Sequence, residues 1–263
     1  ENDRYIAFAG HNSPPPVNRR NFWQPYLADV AARTAHKLGA DIDEEVGNYA
    51  VADQRKGLAN VTVKWTFGDP YIHFLMTEKG ATNLYRIDTS GQYECMVSGE
   101  SVTFEYSPAA NGVVAFGQAN PANPGELYLW EDGKITQLSD FNPWLRDHRL
   151  AAPESYWYDG IDGEKVHSWL IKPLDFKEGE RYPTIVYVHC SMFSWDFNHE
   201  FQIYANEGFV VAYFNQRGTT AGYGQAWTHA SEGDQGGKDY EEIMLGVDEL
   251  IARPYVDKDR LGV

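Results

Sequence analysis

The sequence predicts two structural classes in succession. Residues 1–145 read as all-β repeats, about three blades of a β-propeller, and residues 146–263 as part of a doubly wound α/β sheet. Three observations carry this. Short apolar stretches recur through the first part at a spacing in the low forties. From Tyr182 onward the order is strand, helix, strand, helix, strand. Between the two lies 140–153, a polar and irregular linker with Pro143 and Pro153.

The repeat is legible residue by residue. Tyr71-Ile72-His73-Phe74-Leu75 corresponds to Val113-Val114-Ala115-Phe116, and Asn83-Leu84-Tyr85-Arg86-Ile87-Asp88 to Glu126-Leu127-Tyr128-Leu129-Trp130-Glu131. Lys64-Trp65-Thr66 aligns with Glu105-Tyr106-Ser107. Tyr85 and Tyr128 are 43 residues apart, Gly91 and Gly133 42. A period of that size, holding about four strands, is that of a propeller blade. Arg4-Tyr5-Ile6-Ala7-Phe8 opens an earlier copy, followed by an insertion over 41–59. So few blades close no ring, so further blades are expected ahead of Glu1. Pro14-Pro15-Pro16 reads as an extended loop.

Past the linker, 155–159 and 165–172 make a predicted hairpin turned by Asp162-Gly163. Residues 184–189 and 209–215 are apolar, β-branched runs, the signature of buried parallel strands. Between them 199–207 carries Phe201, Ile203 and Tyr204 on one face and stops at Gly208. Residues 238–253 hold Tyr240, Ile243, Met244, Val247, Leu250 and Ile251 at helical spacing, with Asp239 and Glu242 as a candidate capping box and Pro254 as terminator. A third strand is predicted from Leu261 to the end.

The stretches PTIVYVH (183–189), NQRGTTAGYGQAW (215–227), GDQGGKDYEEIMLGVDELI (233–251) and VDKDRLGV (256–263) resemble the prolyl oligopeptidase family of serine peptidases, its acylaminoacyl-peptidase-like branch in particular. The match runs in order through Asn215, Arg217, Gly218, Gly222, Tyr223, Gly224, Gly236, Gly237, Asp239 and Tyr240. Residues 45–51 and 147–157 also resemble that family's propeller end and domain junction. The resemblance implies that 146–263 is the N-terminal half of an α/β-hydrolase domain. It implies a Ser-Asp-His triad acting on oligopeptides or N-acylated peptides, with the propeller restricting access to large folded substrates.

Two departures matter. No Gly-x-Ser-x-Gly occurs; in the nearest approach, Gly99-Glu100-Ser101, Thr103 stands where the second glycine belongs. By resemblance the nucleophile lies just past Val263, with the acid and histidine after it, so the chain alone is expected to be inactive. Second, the family's His-Gly-Gly-Pro reads here His189-Cys190-Ser191-Met192. The glycines would let the backbone present an N–H to an oxyanion, whereas Cys190 and Ser191 carry a Cβ that disfavours positive φ.

His189, Cys190, Ser191 and Arg217 are therefore the candidate oxyanion or substrate-loop residues. Each has a plainer reading. His189 packs at a strand end, Cys190 is an inert thiol, Ser191 is a loop serine, and Arg217 braces loops through bidentate bonds. The altered loop keeps open a non-catalytic scaffold of the same family, and the half-sheet keeps open an esterase.

Composition narrows the partners. A net charge of −16 leaves no basic stripe for phosphates, so neither nucleic acid nor an anionic membrane surface is an expected partner. A hydrophobic fraction of 43% with 14% aromatics suffices for packed cores. No apolar run approaches a membrane span. Cys95 and Cys190 read as free thiols, and the eight histidines show no metal spacing, so no cofactor or metal is expected. No signal peptide is visible, and a cytoplasmic location is expected. A peptide substrate is the expected partner, with a homo-oligomer left open. Asn60-Val61-Thr62 is a glycosylation triplet of the kind that arises by chance.

Overall fold

The computed structural model describes residues 4–12, 21–54, 61–189 and 192–263. Pro14-Pro15-Pro16, Asn60 and most of the second half of the predicted insertion lie outside them, as do Cys190 and Ser191. The described residues are mostly β with few helices.

The first sheet is antiparallel: β1 (Tyr5–Gly10), β2 (Gln24–Asp29) and β3 (Thr34–Lys37), in that order. A two-residue strand, β4 (Ala50–Val51), follows. Next come two four-stranded antiparallel units. One is β5 (Val63–Lys64), β6 (Tyr71–Glu78), β7 (Ala81–Asp88) and β8 (Tyr93–Val97). The other is β9 (Val102–Pro108), β10 (Val114–Asn120), β11 (Asn123–Glu131) and β12 (Lys134–Gln137). One parallel bridge, Thr82 to Val102, joins them.

The two units repeat in register. Phe74 faces Tyr85 across β6 and β7, and Phe116 faces Tyr128 across β10 and β11. The rings stack alike, centroids 5.7 and 5.4 Å apart at 19° and 20°. Cross-strand aromatic pairs of this kind stabilise a sheet by about 0.2–1 kcal/mol each. One sequence alignment is corrected. Opposite Phe74 stands Val63, and opposite Phe116 stands Tyr106. Val63, not Trp65, therefore takes the place of Tyr106. The slip arose because β5 is so short that no alternation fixed its register.

The linker is tied down at its start. The buried Glu126 carboxylate accepts from Ser139 Oγ (2.5 Å), Phe141 N (2.9 Å) and Asn142 N (3.2 Å). Burial pushes its pKa up, but these hydrogen bonds outweigh burial and hold it down at about 2. A 3₁₀ turn at Pro143–Asp147 leads on to the next sheet.

That sheet is mixed: β13 (Pro153–Asp159), β14 (Lys165–Ile171), β15 (Tyr182–Tyr187), β17 (Val210–Asn215) and β18 (Val256–Gly262), in spatial order β13-β14-β17-β15-β18. A short strand, β16 (Met192–Phe193), stands apart and pairs with β4. β15 runs parallel to both β17 and β18, which demands crossovers. The helix α1 (His199–Asn206) makes the first; α2 (Gly224–His229) and α3 (Lys238–Ile251) lie in the second. β17 is buried throughout because both its faces are covered. Val211 and Tyr213 pack with Trp169 and Phe201 on one side; Val210, Ala212 and Phe214 pack with Tyr158 and Leu250 on the other.

Two expectations needed revision. The third strand begins at Val256, well before Leu261; its polar Asp257-Lys258-Asp259-Arg260 stretch is largely exposed on an edge, so no apolar run announced it. The Asp239–Glu242 capping box does not form. Gly237 is the N-cap without a side-chain cap bond, Asp239 accepts from Gly236 N (2.8 Å), and Glu242 turns into the interior. A buried arginine is the stronger partner.

Candidate functional site

The loops at the carboxyl ends of β15 and β17 come together, the position where parallel α/β sheets build sites. His189 follows β15 and is half-buried, its ring edge-on to Phe193 at 6.2 Å. Its carbonyl accepts from Gln216 Nε2 at 3.3 Å. Beyond the two undescribed residues, Phe193 is held by Asn215: Phe193 N donates to Asn215 Oδ1 at 2.8 Å, and Asn215 Nδ2 donates to Phe193 O at 2.9 Å. Adjacent residues at the end of β17, Asn215 and Gln216, thus bond to Phe193 and His189 respectively.

Arg217 turns elsewhere. Its Nε and Nη2 donate to Glu242 Oε1 at 2.9 and 2.8 Å, and its backbone N–H to Glu242 Oε2 at 2.9 Å. Nη2 also reaches Ile161 O (3.2 Å) and Nη1 reaches Asp162 Oδ2 (3.3 Å), which Lys238 Nζ shares at 2.9 Å. Glu242 is wholly buried and Arg217 nearly so. Burial works to lower the guanidinium pKa, but the Glu242 hydrogen bonds and charge outweigh it and raise it. This geometry braces the β13–β14 turn, the β17 loop and α3 against each other.

Several residues that sequence reasoning left without a role converge here. Asn215 Nδ2 also donates to Tyr223 OH (2.9 Å), and Tyr223 OH lies 2.8 Å from His167 Nδ1. His167 stacks on Trp157 with centroids 4.3 Å apart and packs on Trp169 at 4.0 Å. Burial first, and the charge of Lys79 second, lower its pKa to about 4, so it is neutral near pH 7. Tyr223 belongs to the recognised motif, but strand alternation alone does not reveal which side chains meet across elements.

The first part of the chain closes over these loops. Gly222 N and Gly224 N donate to the Glu44 carboxylate at 3.0 and 3.1 Å. Burial raises the Glu44 pKa to about 8, and Glu78 and Asp43 push the same way against these two bonds. β4 pairs in parallel with β16, Met192 beside Ala50 and Phe193 beside Val51. Asp53 Oδ2 accepts from Glu200 N at 2.9 Å, in the first turn of α1. The β6–β7 turn fits in the same way. Lys79 and Gly80 have φ of 47° and 85°, and a Cβ on Gly80 would lie 2.5 Å from Trp169. Lys79 N donates to Gly222 O (2.9 Å) and Trp195 N to Gly80 O (2.9 Å).

Among the described residues no group of His, Cys, Asp and Glu side chains forms a metal site, and no helix is long and apolar enough to cross a membrane. What the arrangement offers is a hydrogen-bonded backbone frame at a strand end.

Comparison with known proteins bears on this frame. The sequence profile of the prolyl oligopeptidase family matches residues 195–263. The chain is similar to the uncharacterized peptidase YuxL of Bacillus subtilis, 32% identical over 90% of this chain and 37% of that protein. It is 28% identical to dipeptidyl-peptidase 5 of Porphyromonas gingivalis, over 76% of this chain and 30% of the relative. Acylaminoacyl peptidase of Pyrococcus horikoshii superposes with a TM-score of 0.82 at 26% identity, covering 98% of this chain and 38% of that one. The chain spans only 30–38% of the length of these relatives.

Proposed function

Because the chain belongs to the prolyl oligopeptidase family, we propose that it is part of a serine peptidase acting on oligopeptides or N-acylated peptides. In this reading residues 1–145 are blades of a propeller and 146–263 the first half of an α/β-hydrolase domain. The repeated four-stranded units support the first assignment, and the β13-β14-β17-β15-β18 order with its parallel strands supports the second.

The observation that carries the proposal is the bonding of His189 by Gln216 and of Phe193 by Asn215 at the carboxyl ends of the parallel strands. In acyl transfer a serine attacks the peptide carbonyl, a histidine takes its proton and returns it to the leaving amine, and backbone N–H groups hold the oxyanion. This chain's contribution is the oxyanion-side frame and the cover formed by 43–53. In this reading the triad lies in sequence outside these 263 residues, which hold no Gly-x-Ser-x-Gly, and the chain alone is expected to be inactive. The relatives' names, one a dipeptidyl peptidase and one an acylaminoacyl peptidase, favour cleavage near a peptide's N-terminus.

The test is kinetic. The full-length protein is assayed in parallel with dipeptidyl and N-acyl-aminoacyl anilides and with a short acyl ester. The proposal expects amide turnover; turnover of the ester alone would replace the peptidase with an esterase. No turnover of either would favour a non-catalytic scaffold.

A further inference from the structure

We propose that His167 is a positioning residue for the Phe193 backbone beside the candidate site, acting through a chain of hydrogen bonds that links His167, Tyr223, Asn215 and Phe193. The role in the reaction rests on the peptidase reading above; the bond chain itself does not.

The direction of every bond follows from one fixed donor. Phe193 N–H can only donate, so the Asn215 atom it meets is Oδ1. That places Nδ2 toward Phe193 O and Tyr223 OH, both as acceptors. Tyr223 has a single proton, and with its oxygen already accepting from Asn215 that proton goes to His167 Nδ1, 2.8 Å away. His167 is then the neutral tautomer with its proton on Nε2, which faces Ser155 Oγ at 3.3 Å. The imidazole is held in plane by Trp157 and Trp169. The Phe193 backbone is therefore set by an acceptor on β14, a separate strand of the sheet.

Asn215, His167 and Tyr223 are buried or nearly so, so water does not readily replace a lost member. A neutral acceptor at the His167 Nδ1 position is the requirement. Asn at 167 carries a carbonyl oxygen close to that position; Leu, of similar size, carries none.

The experiment uses the full-length protein and reads two quantities, hydrogen–deuterium exchange at the Phe193 amide and peptide turnover. Tyr223→Phe and His167→Leu are each expected to speed exchange at Phe193 about tenfold and to lower kcat about tenfold, with KM within about twofold. His167→Asn is expected to stay within about twofold of the parent on both readouts. A role in packing alone would make Asn and Leu fall together, and that result overturns the proposal. So does unchanged Phe193 exchange in Tyr223→Phe. If the parent protein turns over no peptide yet exchange follows the expected pattern, the bond chain stands and the peptidase reading falls.

Discussion

Removing Glu242 would leave the Arg217 guanidinium buried with its main partner gone. Loss of one member of a buried pair costs about 3–5 kcal/mol, whereas replacing both by apolar residues of similar volume is often far milder. Glu242→Ala is therefore expected to lower unfolding free energy in urea by about that amount, and Arg217→Met with Glu242→Leu to recover much of the loss. Equal destabilisation by the single and double variants would contradict the pairing. At the same scale, the sequence resemblance aligns Cys190 and Ser191 with two glycines of the family's loop. Positive φ on such residues costs on the order of 1–2 kcal/mol, and a misplaced oxyanion donor roughly 3–4 kcal/mol. Cys190→Gly with Ser191→Gly in the full-length protein is expected to raise kcat with little change in KM; an unchanged kcat would mean that the loop is competent with its side chains. Residue-level legibility was uneven. The motif exposed Arg217, but its partner Glu242 was misread as a helix cap because the i, i+3 spacing from Asp239 fits both uses. His167 gave no signal, since its partners Tyr223 and Ser155 sit on other elements.

Helix α3 meets the sheet through a glycine. A Cβ on Gly246 would lie 2.8 Å from both the Phe214 ring and Tyr158 OH, and Tyr158 OH donates to Glu242 O at 2.7 Å. Gly246→Val is expected to destabilise by about 1–3 kcal/mol through overpacking, despite the loss of glycine's backbone entropy cost. Thermal unfolding reads this directly, and a raised Tm would show that the helix can shift without cost. Elements with near-continuous burial or helical periodicity, β6, β7, β17 and α3, were visible in the sequence because burial writes itself as a pattern. β18 was half hidden because its Asp257-Lys258-Asp259-Arg260 stretch makes no apolar run, and β5 slipped because two residues carry no period. β4 and β16 were invisible, since they exist only through pairing with each other.

Across the whole molecule, the segment 43–53 links the β repeats to the α/β sheet, and Glu44 is one of its titratable contacts. Its folded pKa, about 8, lies above the ordinary 4.5, so folding favours the protonated form. The stability it contributes is fully present below about pH 4.5 and is lost as pH rises through 8. Glu44→Gln, which stays neutral, is expected to gain stability relative to the parent as pH rises from 5 to 9 in matched denaturant titrations. A constant difference over that range would contradict the assignment. The sequence resemblance implied an order of two parts, while the closing of 43–53 over Gly222 and Gly224 depends on contacts between distant residues that no local pattern encodes.

The central claim is that these residues frame a serine peptidase site whose nucleophile they do not contain. Fluorophosphonate labelling, followed by identification of the labelled residue, tests it most directly. The full-length protein is expected to label stoichiometrically at one serine beyond Val263, and the 263-residue chain not at all. Stoichiometric labelling of a serine within the 263 residues, or no labelling of the full-length protein, would contradict the account.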